Sequence, residues 1–258
     1  MTAWTPGALA PRPGGAPVGR MLAAQTKAEL TLLLRNGEQV LLSLVIPLGL
    51  LVVLSKVDVV TVPGGHDRVG FFVPGVIALA VMSSAFTGQA IGVGFERQYG
   101  VLKRLGGTAL PRSVLLGAKT LAVLVVELLQ LVLIAAVGRG LGWHPHGAVL
   151  SVLLLVVLGT AAFSGLGLVL GGTLRGLTTL AAANLLWFVL LVLGGVLFPL
   201  SHFGGAESAL QLLPTAALSD GLRQVLQHGA SLPMRDVLAL AAWSLAALTA
   251  ASRFFRWE

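Results

Sequence analysis

Six apolar stretches run through this chain of 258 residues. Each is close to the ~20 residues that an α-helix needs to cross a bilayer. They fall at about Gln39–Ser55, Phe71–Gly94, Arg112–Val137, Gly147–Gly172, Leu177–Phe198 and Arg235–Phe255. Hydrocarbon offers a backbone no hydrogen-bond partners, so segments of this length and composition cross it as helices. The predicted fold is an all-α integral membrane protein with six transmembrane helices. The first span is short and contains Pro47, which a membrane helix tolerates because its neighbours satisfy the freed carbonyl. Charged residues make up only 10% of the chain, against about a quarter in soluble domains. That share cannot cover a water-facing surface, so an ordinary soluble domain is excluded. The chain has no cysteine, which rules out disulfides, thiolate catalysis and zinc–thiolate sites.

The net charge of +7 would point to nucleic acid in a soluble protein. In a lipid-embedded chain the question is which side the lysines and arginines occupy. With a cytoplasmic N-terminus, the inner side holds twelve basic residues against the four acids Glu29, Glu38, Glu96 and Glu258. The outer side holds five of each sign, and Glu127 falls within a span. The charge is therefore a topology signal: a multi-pass protein of a bacterial cytoplasmic membrane, both termini inside, with no nucleic-acid partner. Residues 1–19 are rich in Pro, Gly and Ala without an apolar run. They read as a disordered, uncleaved cytoplasmic tail, leaving 20–258 as a single transmembrane domain. At 100° per residue, Arg20, Lys27, Thr31, Arg35 and Glu38 share one face. They predict an amphipathic helix at the inner membrane surface, leading into the first span.

Chemistry-bearing motifs are missing. There is no G-x-x-x-x-G-K-[ST] loop, and Gly117-Ala118-Lys119-Thr120 lacks the glycine before its lysine. Neither a G-x-S-x-G elbow nor an H-E-x-x-H pair occurs. His144 and His146 flank Pro145, which suits a turn better than a metal site, since a third ligand is missing. No catalytic, cofactor or metal site is expected in this chain.

Between the second and third spans the sequence reads Glu96-Arg97-Gln98-Tyr99-Gly100-Val101-Leu102-Lys103-Arg104-Leu105, followed through Thr108 and Leu110 to Pro111. It resembles the E-R-x-x-G-x-L-K-R-L-x-x-T-x-L-P segment of type-2 ABC exporter permeases, the family that includes daunorubicin-exporter-like drug-resistance permeases. Pro74-Gly75 at the start of span two, and Pro214-Thr215 followed by Asp220-Gly221-Leu222-Arg223 before span six, are similar to that family as well. The resemblance implies two permease chains around one pathway, a homodimer or a pair of paralogues, with two separate ATPase subunits docked beneath. ATP and Mg would sit on those partners. Glu96, Arg97, Gly100, Leu102, Lys103, Arg104, Leu105 and Pro111 would form a coupling helix seated on the ATPase, with the interfacial helix beside it. The region of Pro199, Pro214, Asp220 and Arg223 would form short external, re-entrant helices. Independently, Leu102 and Leu105 at i,i+3 make an apolar ridge between basic shoulders, suited to a groove. The alternative is a basic loop attracted to anionic lipid, with Glu96 paired to Arg97, Arg20 or Lys27.

Glu127 is the one acid deep in a span, and Gln130 follows one turn later. Intramembrane ionisable groups mark pathways or relays by default, and structural hydrogen bonding is the other reading. Asn184 and Trp187, at i,i+3 in span five, are further pathway candidates, with interhelical bonding or packing as the alternative. Gly88/Gly92 and Gly167/Gly171 have G-x-x-x-G spacing, which a dimer face would use. The expected function is the membrane subunit of an ATP-driven exporter of a hydrophobic or amphipathic substrate (drug, lipid or lipid-linked molecule). A polysaccharide or teichoic-acid permease is the alternative within the family. Outside it stand a proton-coupled secondary transporter using Glu127 and, third, a membrane enzyme.

Overall fold

The computed structural model describes residues 15–57, 68–196 and 200–255, without the side chains of 38–40, 42 and 201–203. The tail before residue 15, the side chain of Glu38 and Pro199 therefore lie outside the described residues. The chain is all-helical there. Helix α1 (Val18–Arg35) leads through Asn36 into α2 (Gly37–Lys56). Helix α3 (Arg68–Val81), a π-helical segment (Met82–Gly88) and α4 (Gln89–Gln98) form one continuous rod. The short α5 (Val101–Gly106) precedes α6 (Arg112–Gly140), α7 (Val149–Thr173) and α8 (Gly176–Leu193). A 3₁₀ segment (Leu200–Ala206), a single turn α9 (Glu207–Leu210), α10 (Pro214–Leu226) and α11 (Met234–Phe254) complete it.

Among the described residues, five helices are long and apolar enough to cross a membrane: Arg68–Gln98, Arg112–Gly140, Val149–Thr173, Gly176–Leu193 and Met234–Phe254. The first expected span lies in α2, a helix of 20 residues with Pro47 inside it, whose described apolar part is Ser43–Lys56. The fifth ends at Leu193 rather than Phe198, where Gly194 caps it and Gly195 takes φ +67.

The π-α rod Arg68–Gln98 is the axis of the bundle, with every residue from Gly70 to Met82 buried. Helix α7 packs along it because glycines let the backbones meet. A Cβ on Gly167 would stand 2.7 Å from the Phe86 carbonyl oxygen, and one on Gly171 would stand 2.5 Å from that of Ala90. These contacts correct one reading of the glycine pairs: Gly167/Gly171 close an intrachain interface, not a dimer face. Gly92 has open space around its Cα.

Helix α10 starts with Pro214 at its first turn, which lacks the N–H that a helix start leaves unpaired. It is buried almost throughout, against α3, α7 and α11. It fills the stretch expected to form short helices before the last span. Its anchor is Arg223, whose guanidinium donates to the Val196 carbonyl at 3.0 Å and the Phe71 carbonyl at 3.5 Å. That group also lies 4.2 Å from the Phe71 ring centroid, a cation–π contact. Gly75 makes room for this lock, because a Cβ there would lie 2.6 Å from the Val196 oxygen. Gln224 ties the same helix to α11 by donating to Asp236 at 2.9 Å, and within α10 it also donates to Asp220 at 3.0 Å.

A side chain at Gly171 must displace backbone, whereas one at Gly92 meets nothing. Gly171→Val is expected to cost about 1–3 kcal/mol by overpacking and Gly92→Ala close to none. Thermal melting of the two purified variants in detergent checks the difference.

Candidate functional site: a cavity beside a buried ion triad

The rod ends at Gln98, and Gly100 turns the chain sharply. Its φ of +70 is a left-handed conformation that glycine adopts without strain. The motif glycine therefore has a backbone reason, since it turns the chain from the rod into α5. Beyond it, α5 is anchored by Leu102, which is fully buried with Val93, Leu115, Leu116, Leu168 and Phe255. Leu105 packs against the same cluster. This corrects the expected docking ridge. Leu102 and Leu105 face the chain's own core, because so short a helix needs an internal anchor. The outward surface is Val101, Lys103 and Arg104, continuing through the exposed loop to Pro111. Thr108 closes that loop, donating to the Leu105 carbonyl at 2.6 Å and accepting from the Leu110 N–H. Arg97 points the other way and caps the end of α7, donating to the carbonyls of Gly172 at 3.2 Å and Leu174 at 3.4 Å. A cation at a helix C-terminus meets both unpaired carbonyls and the negative dipole end.

Glu96 finds neither Arg97 nor the cations of α1. Its partner is Lys119 on α6, at 2.8 Å. The same ammonium meets Glu29 on α1 at 2.9 Å, and Gln25 donates to the other Glu29 oxygen at 2.8 Å. Lys119 is 5% exposed. The interfacial helix, the end of the π-α rod and the start of α6 thus meet at one buried charge. On α1 this sorts the faces: Glu29 turns inward, while Arg20, Lys27 and Arg35 are exposed, as amphipathicity predicts.

Directly against the triad lies a cavity of about 820 Å³, between α1, α2, the π-α rod, α6 and α8. Glu29, Glu96 and Lys119 belong to its wall. Most of the remaining wall is apolar, for example Ile46, Leu79, Val123, Val126 and Leu180. Polar groups come from the π-helical segment, which presents Ser83, Ser84 and Thr87 with Gln89 just beyond, and from Asn36 and Ser43 at the α1–α2 side. π-turns widen a helix locally and recur at functional sites.

The pathway candidates divide. Trp187 lies in the cavity wall, its indole N–H donating to Ser83 at 2.9 Å. Gln130 is buried behind the wall and joins three helices. It accepts from Ser84 at 3.3 Å and donates to the Ser43 carbonyl at 3.1 Å. Glu127 is 2% exposed and sealed between α6 and α7, hydrogen-bonded to Thr160, outside the cavity wall. Asn184 is exposed on the outer face of α8 and is no part of the wall. Sequence reasoning missed the π-helical hydroxyls, whose only signal was the polar string Ser83-Ser84 and Thr87 inside an apolar span. The triad was missed as well, because Glu29 and Lys119 read simply as inner-side charges.

Known proteins match this arrangement along most of its length. The sequence profile of the family described as "ABC-2 type transporter" matches residues 21–226. A Bacillus subtilis (strain 168) protein, YvfS, named as a transport permease, is 24% identical over 229 residues, covering 87% of this chain and 93% of its own length. A multi-pass helical bundle with this profile over most of its residues is a transport permease, and the chain belongs to the ABC-2 type transporter family.

Proposed function

We propose that this permease is the membrane-spanning subunit of an ATP-driven exporter in a bacterial cytoplasmic membrane. A separate ATPase subunit binds ATP and Mg, and a second permease chain (another copy or a paralogue) completes the pathway. The chain itself performs no covalent chemistry. Its cargo is hydrophobic or amphipathic, such as a drug, a lipid or a lipid-linked molecule. One observation carries this reading: the Glu29–Lys119–Glu96 triad joins the cytoplasmic motif to the wall of the membrane cavity. In the proposed mechanism, closure of the ATPase pushes on the exposed face of α5 and its loop. The triad makes α1, the end of the rod and α6 respond together, and the cavity they line changes shape. Packed elements of this kind switch between discrete arrangements rather than deforming continuously. Both termini lie on the cytoplasmic side in this arrangement. A proton-coupled mechanism through Glu127 draws no support from a carboxyl sealed away from the cavity.

The direct assay co-reconstitutes the permease with its ATPase in vesicles and follows a fluorescent amphiphile. Uptake into inside-out vesicles should require ATP and the intact ATPase, and Glu127→Gln should leave it unchanged. Uptake that ignores ATP but collapses with the proton gradient and in Glu127→Gln contradicts the proposal.

The triad makes a separable prediction. Lys119→Met leaves two carboxylates facing each other, and breaking a buried pair costs roughly 3–5 kcal/mol. Neutralising all three positions together (Glu29→Gln, Lys119→Met, Glu96→Gln) should restore most of the melting temperature, because apolar or neutral replacement of a buried ion cluster is often tolerated. That restored variant should nevertheless export slowly relative to its ATP hydrolysis. Export at the wild-type ratio would show that the triad merely holds the fold.

A further inference from the structure

We infer that the cavity selects an amphiphile whose polar end is uncharged and offers both a hydrogen-bond donor and an acceptor, and that Gln89 is the residue that reads it. The inference rests on the reading of this cavity as the substrate site and narrows the class of substrate. Its size lies within the usual range of small-molecule pockets, about 300–1,000 Å³, and its walls are mainly apolar. What the triad and the polar side chains of the rod have left to offer is therefore decisive.

Anions find no receptor. Among the described residues, Lys119 is the only cation in the cavity wall, and two carboxylates already hold it at 2.8 and 2.9 Å. One ammonium against two carboxylates leaves this region without spare positive charge. The second oxygen of Glu96 is buried there without a hydrogen-bond partner. A phosphate, pyrophosphate or carboxylate head group brought to this place would lose its hydration and meet negative charge instead.

Neutral polar groups find a partner in Gln89. Two of the hydroxyls on the polar wall are committed, Ser83 to Trp187 and Ser84 to Gln130. Thr87 and Gln89 are not. Gln89 is only 6% exposed, and neither its Nε2 nor its Oε1 has a partner; the Thr87 Oγ1 is likewise buried and unpartnered. A buried amide with neither end satisfied is costly, and helical neighbours such as Ala90 and Gly88 cannot relieve it. The amide carries one acceptor and two donors in a plane, so its complement is another amide, or a hydroxyl beside a carbonyl. Gln89 and Glu96 are seven residues apart on the rod, two turns or about 10 Å. A polar end held by Gln89 therefore sits clear of the triad, with Ile46, Leu79, Val123 and Trp187 available to the apolar body.

The test uses the full chain in neutral-lipid nanodiscs, without ATPase or nucleotide. Its probes are bromine-labelled dodecanamide, dodecanoate and dodecylamine, read as saturable quenching of tryptophan emission that Trp187→Phe removes. Dodecanamide is expected to bind at least tenfold more tightly than dodecanoate. Gln89→Leu should weaken the amide about tenfold, with Gln89→Asn and Thr87→Val weakening it less. Melting should be unchanged or higher in Gln89→Leu, because an unpaired buried amide has been replaced by a group of similar shape. Wild-type affinity in Gln89→Leu overturns the assignment, as does a lowered melting temperature, which would reveal a structural partner for the amide. Equal binding of the carboxylate overturns the exclusion of anions. Tighter binding of the amine, lost in Glu96→Gln, assigns the cavity to cations instead. Because no ATPase is present, these outcomes stand apart from the transport assay. A chain that binds the amide but transports without ATP refutes the exporter reading alone, and an ATP-driven chain indifferent to Gln89 refutes this inference alone.

Discussion

The buried ammonium of Lys119 is the point on which the Glu96 end of the bundle depends. It is held by one carboxylate from the interfacial helix and one from the end of the π-α rod. Such a cluster is rarely a net source of stability, because desolvating three charges offsets much of their attraction. Its value is in specificity. Three helices that meet at one charge have a single register relative to one another, and moving any of them alone exposes an unpaired ion. Around it the short α5 is fastened by Leu102. Arg97 fastens the end of α7 to the same corner. The outward surface of this corner combines the basic Lys103 and Arg104 with the exposed Tyr99 and Val101, while Leu102 turns inward.

Above this corner the rod changes character. Its first half is buried apolar helix fixed to α10 by Arg223, and its π-helical middle and α4 meet α7 through glycine contacts. Its π-helical middle brings hydroxyls to the cavity wall. The outer end is therefore locked by close packing and a cation held by carbonyls, the inner end by an ion triad. A wide, mostly apolar chamber lies between them. In the proposed mechanism this division lets the inner body move while the outer lock delays opening.

Much of the architecture was legible beforehand. Apolar length and the inner excess of Lys and Arg are one-dimensional signals, so helix identity followed from the sequence directly. The motif around Glu96 likewise pointed to the family. Contacts made by residues far apart were not legible. Glu29, Glu96 and Lys119 carry no spacing that announces a triad, and Gly167 and Gly171 look alike whether they face the π-α rod or a second chain. Leu102 sits at a plausible docking position in a helical projection, and only the left-handed turn at Gly100 directs it inward. Glu127 stood out because acids are rare in spans, yet it is sealed beside Thr160, while the less conspicuous Gln89 lines the cavity.

Double electron–electron resonance on the assembled transporter tests the central claim most directly. The natural absence of cysteine allows spin labels at chosen sites. Labels at the exposed positions Ala24 on α1 and Ala109 beyond α5 report within the cytoplasmic body, and Ala109 paired with the outer, exposed Val149 reports across the bundle. A body held by Lys119 keeps one Ala24–Ala109 distance distribution with and without nucleotide, while the Ala109–Val149 distribution shifts. A nucleotide-dependent change in the Ala24–Ala109 distance of the wild-type triad would contradict it.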